Sequence, residues 1–148
     1  MKKSIIIDVI SYLLVLLFVY TGASKLLSYG FFYAQLHKQP LPEAILPVLS
    51  VAVPVGEILV ATCLLVPRFR KVGFFASLLL MSAFTLYVGY ILKFVPGNKL
   101  PCTCGGVINM MSWRQHLVFN SFFTFLALVG FYLERKQSYP EQKKMLVV

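Results

Sequence analysis

The residues best suited to chemistry in this 148-residue chain are Cys102 and Cys104, within the stretch LPCTCGGVINMMSWRQH at residues 100–116. Two cysteines at i and i+2 in an extended or turned backbone place their Cα atoms roughly 5–7 Å apart, at the edge of disulfide range. The ring they close is small and strained, and strained, exposed disulfides are the readily reduced, catalytic kind. Pro101 stiffens the approach to the pair, and Gly105-Gly106 free the exit, so the chain can turn tightly around the sulfurs. Lys99, Arg114 and the positive end of a helix starting near residue 113 favour thiolate over thiol, and the thiolate is the species that exchanges. His116, one turn into that helix, is placed to give or take a proton during exchange, or simply to hydrogen-bond.

Other chemistries fit the same residues. A local structural disulfide is one, although so short a loop restrains the unfolded chain little. A soft-metal site such as Cu(I) on Cys102, Cys104 and His116 is another, short of the four ligands that structural zinc takes. Two unrelated free thiols are a third. Thiol–disulfide exchange is the favoured reading, and no dedicated metal site is assigned. Cys63 lies most of a bilayer thickness away along another helix and reads as a buried structural thiol.

The elements that must position these residues follow from composition. The chain is 59% hydrophobic and 13% charged, more apolar surface than a soluble domain of this length can hide. Four apolar stretches reach the roughly 20 residues needed to cross a bilayer: Ile5 to about Leu27, Ile45 to Val66, Val72 to Val95 and Trp113 to Leu133. The expected fold is all-α, an antiparallel four-transmembrane-helix bundle over residues 1–136 with a polar, mobile tail at 137–148. The first stretch has the outline of a secretory signal peptide, with Lys2 and Lys3 before it, but reads as a retained helix.

The net charge of +9 does not point to nucleic acid. Nine of the 14 basic residues fall at the ends that alternating crossings place on one side (among them Lys2, Arg68, Arg70 and Lys144). Positive residues collect in the cytoplasm, so both termini are expected there. The cysteine loop then faces the oxidising, extracytoplasmic side of a bacterial inner membrane. Residues 28–44, aromatic then proline-rich, suit a short interfacial helix ending before Pro40, or an aromatic belt. Pro47 and Pro54 are expected to bend or loosen the second span. Ser112 to Gln115 form a capping-box pattern that ends the cysteine loop.

Within the spans, Glu57 is costly unless paired, protonated or wetted. Lys25, after the small residues Gly22, Ala23 and Ser24, is shallower but long enough to reach it, so a Lys25–Glu57 interaction is expected, as a structural clamp or part of a proton path. Asp8 reads as merely interfacial.

YTGASKLLS (Tyr20 to Ser28), PVGEILVA (Pro54 to Ala61) and CTCGG before the last span together resemble the DoxX-like membrane proteins, and most of all their MauE branch. The resemblance covers all four spans. It implies a four-helix bundle in the cytoplasmic membrane, working with a thioredoxin-like partner to form disulfides in exported proteins. More distantly, DsbB and the vitamin K epoxide reductases also use four helices to pass electrons from a cysteine pair to a quinone. They typically carry Cys-x-x-Cys plus a second pair, both missing here, so this pair must reach a quinone alone or with a partner's cysteines.

The expected function is thus an inner-membrane thiol–disulfide redox protein. It exchanges electrons between an extracytoplasmic thioredoxin-like or substrate protein and a membrane carrier, with quinone as the candidate cofactor and Cys102 and Cys104 as the working residues. The alternatives are a non-enzymatic anchor or assembly subunit of an exported complex, and a soft-metal-binding membrane protein.

Overall fold

A chain without water around it must satisfy each backbone N–H and C=O internally, and long apolar runs therefore become helices. The computed structural model describes residues 2–96 and 111–146. It contains α1 (Lys2–Leu27), α2 (Tyr29–His37), α3 (Leu46–Leu65), α4 (Arg70–Phe94) and α5 (Trp113–Leu146), with short 3₁₀ turns at Glu43–Ile45 and Pro67–Phe69. No strand occurs among the described residues. Four helices are long and apolar enough to cross a membrane, spanning Lys2–Leu27, Glu43–Leu65, Pro67–Phe94 and Trp113–Gln137. Large apolar side chains stand outward on all of them, as at Leu16, Leu59, Leu86 and Val118. That arrangement suits lipid rather than water.

The four spans form a ring in which α1 packs on α3, α4 on α5, and the α3–α4 and α1–α5 contacts close it. Cross-helix partners show that neighbours run antiparallel. Phe75 meets Phe131 and Thr85 meets Thr124 between α4 and α5, while Ser11 meets Leu64 and Lys25 meets Glu57 between α1 and α3. One end of the bundle, the terminal end, thus carries the start of α1 and the α3–α4 turn. The other, the loop end, carries Leu27, Leu46, Phe94 and Trp113.

Chain breaks follow local chemistry. The residue before a proline is disfavoured in the α region, and Val66, ahead of Pro67, is extended at φ −88° and ψ 114° and stops α3. Gly73 makes the resulting turn compact: a Cβ there would lie 2.8 Å from the Leu64 backbone nitrogen, so only glycine lets α4 lie this close to α3. At the start of α5 the Ser112 N–H donates to Gln115 Oε1 at 2.8 Å and the Gln115 N–H to Ser112 Oγ at 3.3 Å, the reciprocal capping box.

Three expectations are corrected. Pro47 does not bend the second span: it lies in the first turn of α3, where the missing N–H has no intrahelical partner to lose. Pro54 is interior, and α3 continues through it. Asp8 is not merely interfacial, since its Oδ1 accepts from Arg70 Nη1 at 2.8 Å. Cys63 is free but only half-buried, because it sits on the flank of α3 rather than on its inner face. α5 runs on as helix through the polar stretch from Gln137 to Leu146.

Candidate functional site

The site is built around the one expected charge pair. Antiparallel packing sets Gly22 of α1 between Pro54 and Ile58 of α3, with a hypothetical Cβ only 3.0 Å from the Ile58 side chain, so the two backbones approach closely. Helical side chains lean toward their own N-terminus. On α1 this tilts Lys25 inward, and on α3 it tilts Glu57 toward the loop end, so the two converge from opposite directions. Lys25 Nζ donates to Glu57 Oε1 at 2.8 Å and Oε2 at 2.9 Å, with Thr21 O at 3.5 Å. The Phe32 ring centroid lies 5.8 Å from the same nitrogen, within cation–π reach. The side chains are 11% and 2% exposed, respectively. With both carboxylate oxygens and the ammonium engaged, neither charge stands bare in a medium that cannot solvate it.

This pair forms part of the wall of a cavity of about 390 Å³ at the loop end. All four spans contribute. Phe18 comes from α1, Val53 from α3, Phe84 from α4 and Phe119 from α5, while Phe32 and Leu36 of α2 and Leu41 of the following connection cover it from the side. The interfacial helix expected at 28–44 is therefore α2, and it packs inward: Phe32, Gln35 and Leu36 are buried.

Polar groups are few and spread around the wall. Tyr87 of α4 donates to Gln39 Oε1 at 2.8 Å, bridging α4 to the α2–α3 connection. His116 and Asn120 lie one turn apart on the same face of α5, and both line the cavity. His116 is buried, and its ring tilts 52° to that of Trp113 at a centroid separation of 6.4 Å. Just below, Thr85 and Thr124 share a 3.0 Å hydrogen bond that ties α4 to α5.

The structure thus gathers three of the expected site residues, Lys25, Glu57 and His116, around one cavity. Arg114 is exposed on the first turn of α5 and turned away from it. Cys102, Cys104 and Lys99 lie outside the described residues. Among the described residues no group of three or more His, Cys, Asp or Glu side chains gathers to hold a metal ion. Sequence reasoning missed Gln39, Tyr87, Trp113 and Asn120. Asn120 had a signal, being a carboxamide in the middle of the apolar run LVFNSFF. Gln39, in a polar connection, had none.

Compared with known families, the chain is matched over residues 3–133 by the model described as methylamine utilisation protein MauE. No curated protein matches it, and no solved structure does.

Proposed function

This chain belongs to the MauE family and is a multi-pass membrane protein, and from that premise we propose that it is an accessory thiol–disulfide redox protein of the bacterial inner membrane. Cys102 and Cys104 exchange with an extracytoplasmic thioredoxin-like or substrate protein, and a membrane carrier restores the pair. The observation that carries the reading is a coincidence of place. Cys104 precedes Trp113 by nine residues in the sequence, and Trp113 stands at the bundle end where Lys25, Glu57 and His116 meet the cavity.

In this reading a thiolate of the pair attacks the partner's disulfide, a mixed disulfide forms, and the second cysteine displaces the partner as a dithiol. Two electrons and two protons pass to the partner, and the pair becomes a disulfide. The reverse sequence oxidises the partner instead. His116, on the first turns of α5, is the positioned proton carrier, while Arg114 and Lys99 favour the thiolate. The Lys25–Glu57 pair holds α1 against α3 so that the loop end keeps its shape.

The test is trapping. Cys104→Ser or Cys102→Ser is expected to accumulate a mixed disulfide with an exported protein, resolved on a non-reducing gel and lost on reduction. Absence of any adduct with either variant, with the double serine variant fully functional in cells, overturns the reading in favour of an anchor or assembly role. Labelling of the loop cysteines by a membrane-impermeant maleimide in intact spheroplasts tests the side on which they lie.

A further inference from the structure

The cavity wall includes one residue that also belongs to the outer surface. On α4 the exposed stripe facing away from the bundle runs Leu79, Ala83, Leu86, Tyr90, at spacings of four, three and four. Ala83 lines the cavity as well. It lies 13 residues from the start of α4 and 11 from its end. At about 1.5 Å per residue that is roughly 16–20 Å from either end, near the middle of the span. Ala83 thus stands both on the lipid-facing stripe and on the cavity wall, with the smallest side chain of that stripe.

The walls say what kind of ligand. A volume of about 390 Å³ lies within the range of small-molecule sites, roughly 300–1,000 Å³. The charges at its edge, Lys25 and Glu57, neutralise one another, which leaves no uncompensated cation for a phosphate head group and no bare carboxylate for an amine. Besides His116, the remaining polar handles are uncharged amides and hydroxyls. Tyr87 uses Gln39 Oε1, which leaves the Gln39 amide N–H₂ as a donor. Among the described residues the Asn120 side-chain amide, on α5, has no protein partner. Phe18, Phe84 and Phe119 add aromatic rings to the same wall. A planar, uncharged head group with hydrogen-bond-accepting carbonyls on separate edges, carried on an apolar tail, satisfies every one of these constraints.

We propose that this cavity binds the head group of a lipid-soluble quinone, admitted from the bilayer past Ala83 and held between the Gln39 and Asn120 amides. The assignment rests on the redox reading for its physiological meaning, since it names the membrane carrier, but binding itself stands on the cavity alone.

Trp113 is the chain's single tryptophan and lines the cavity, so its fluorescence reports occupancy without any turnover. The full-length protein in nanodiscs is titrated with a decyl-substituted 1,4-benzoquinone. Wild type is expected to show saturable quenching. Ala83→Phe, which plugs the mouth from an exposed position, is expected to raise the half-saturating concentration at least tenfold, and Leu86→Phe, on the same stripe but off the cavity, to leave it unchanged. Gln39→Leu with Asn120→Leu is expected to raise it severalfold. Unsaturable quenching that is the same in wild type and Ala83→Phe, or displacement of the quinone by farnesol at equal concentration, overturns the proposal, because either shows partitioning or a site for any lipid chain. Repeating the titration on the Cys102→Ser/Cys104→Ser protein separates the two claims: saturable binding there with failed trapping sinks the redox reading alone, and successful trapping with unsaturable quenching sinks only the quinone site.

Discussion

The two ends of this bundle solve the problem of polar groups in lipid differently. At the terminal end Phe74 is fully buried, Ser11 Oγ donates to Leu64 O at 3.1 Å, and the Asp8–Arg70 pair stands at the rim, with its carboxylate side chain 42% exposed. At the loop end the ion pair is sealed inside and the helices leave a cavity beside it. Small residues and a short turn let the terminal end close by packing. The loop end carries α2 and a long connection in place of a tight turn, and its polar residues link neighbouring elements around a space. The terminal end is closed by packing, whereas the loop end keeps a polar-edged space, and under the proposed function that space is the working part.

Three experiments break or sharpen that contrast. The largest effect is expected from separating the inner pair. Glu57→Leu alone leaves Lys25 without its counter-charge in a buried position and should cost about 3–5 kcal/mol, whereas Lys25→Met with Glu57→Leu, which removes both charges, should recover most of it. Reversible unfolding in mixed micelles, followed by circular dichroism, measures both. Equal losses for the single and double variants would show that packing of the side chains, not charge compensation, is what counts.

Next comes Gly73→Val at the terminal turn. A branched side chain there meets the backbone of Cys63 and Leu64, and because backbone cannot step aside the expected cost is about 1–3 kcal/mol. The same unfolding measurement applies, and the quinone titration should be unaffected. A change in that titration would mean that the two ends are mechanically coupled.

The smallest effect is expected for Asp8→Asn. An ion pair this open to its surroundings contributes about 0.2–1 kcal/mol, and the difference from wild type should shrink as salt is raised. A salt-insensitive loss as large as that of Glu57→Leu would erase the distinction between the rim pair and the sealed one.

Much of the fold was legible in the sequence because lipid enforces local rules. Runs of some 20 apolar residues must be helical, so the four spans could be counted, and the capping box at Ser112 needs only residues three apart. The Lys25–Glu57 contact was legible for a related reason: an intramembrane carboxylate needs a partner, and Lys25 follows the small residues Gly22, Ala23 and Ser24, which allow close helix approach, on a side chain long enough to reach down. Asp8 had no such unique solution, since Arg68, Arg70 and Lys71 all cluster at the facing turn. Pro47 was misjudged because its meaning depends on whether it falls in a first turn or an interior one, a difference of a few residues that hydropathy does not resolve.

The sequence by itself determined the number of spans, their alternation, and the need of Glu57 for a cation, because each follows from solvation energies that depend on residue type and near neighbours. Only the tertiary structure decided which faces meet, and with that the ring order, the inward seating of α2, and the convergence of Gln39, Tyr87, His116 and Asn120 on one cavity. Those residues lie on three separate segments. Their meeting is set by how helix surfaces fit together in three dimensions, which no periodicity along a single segment encodes.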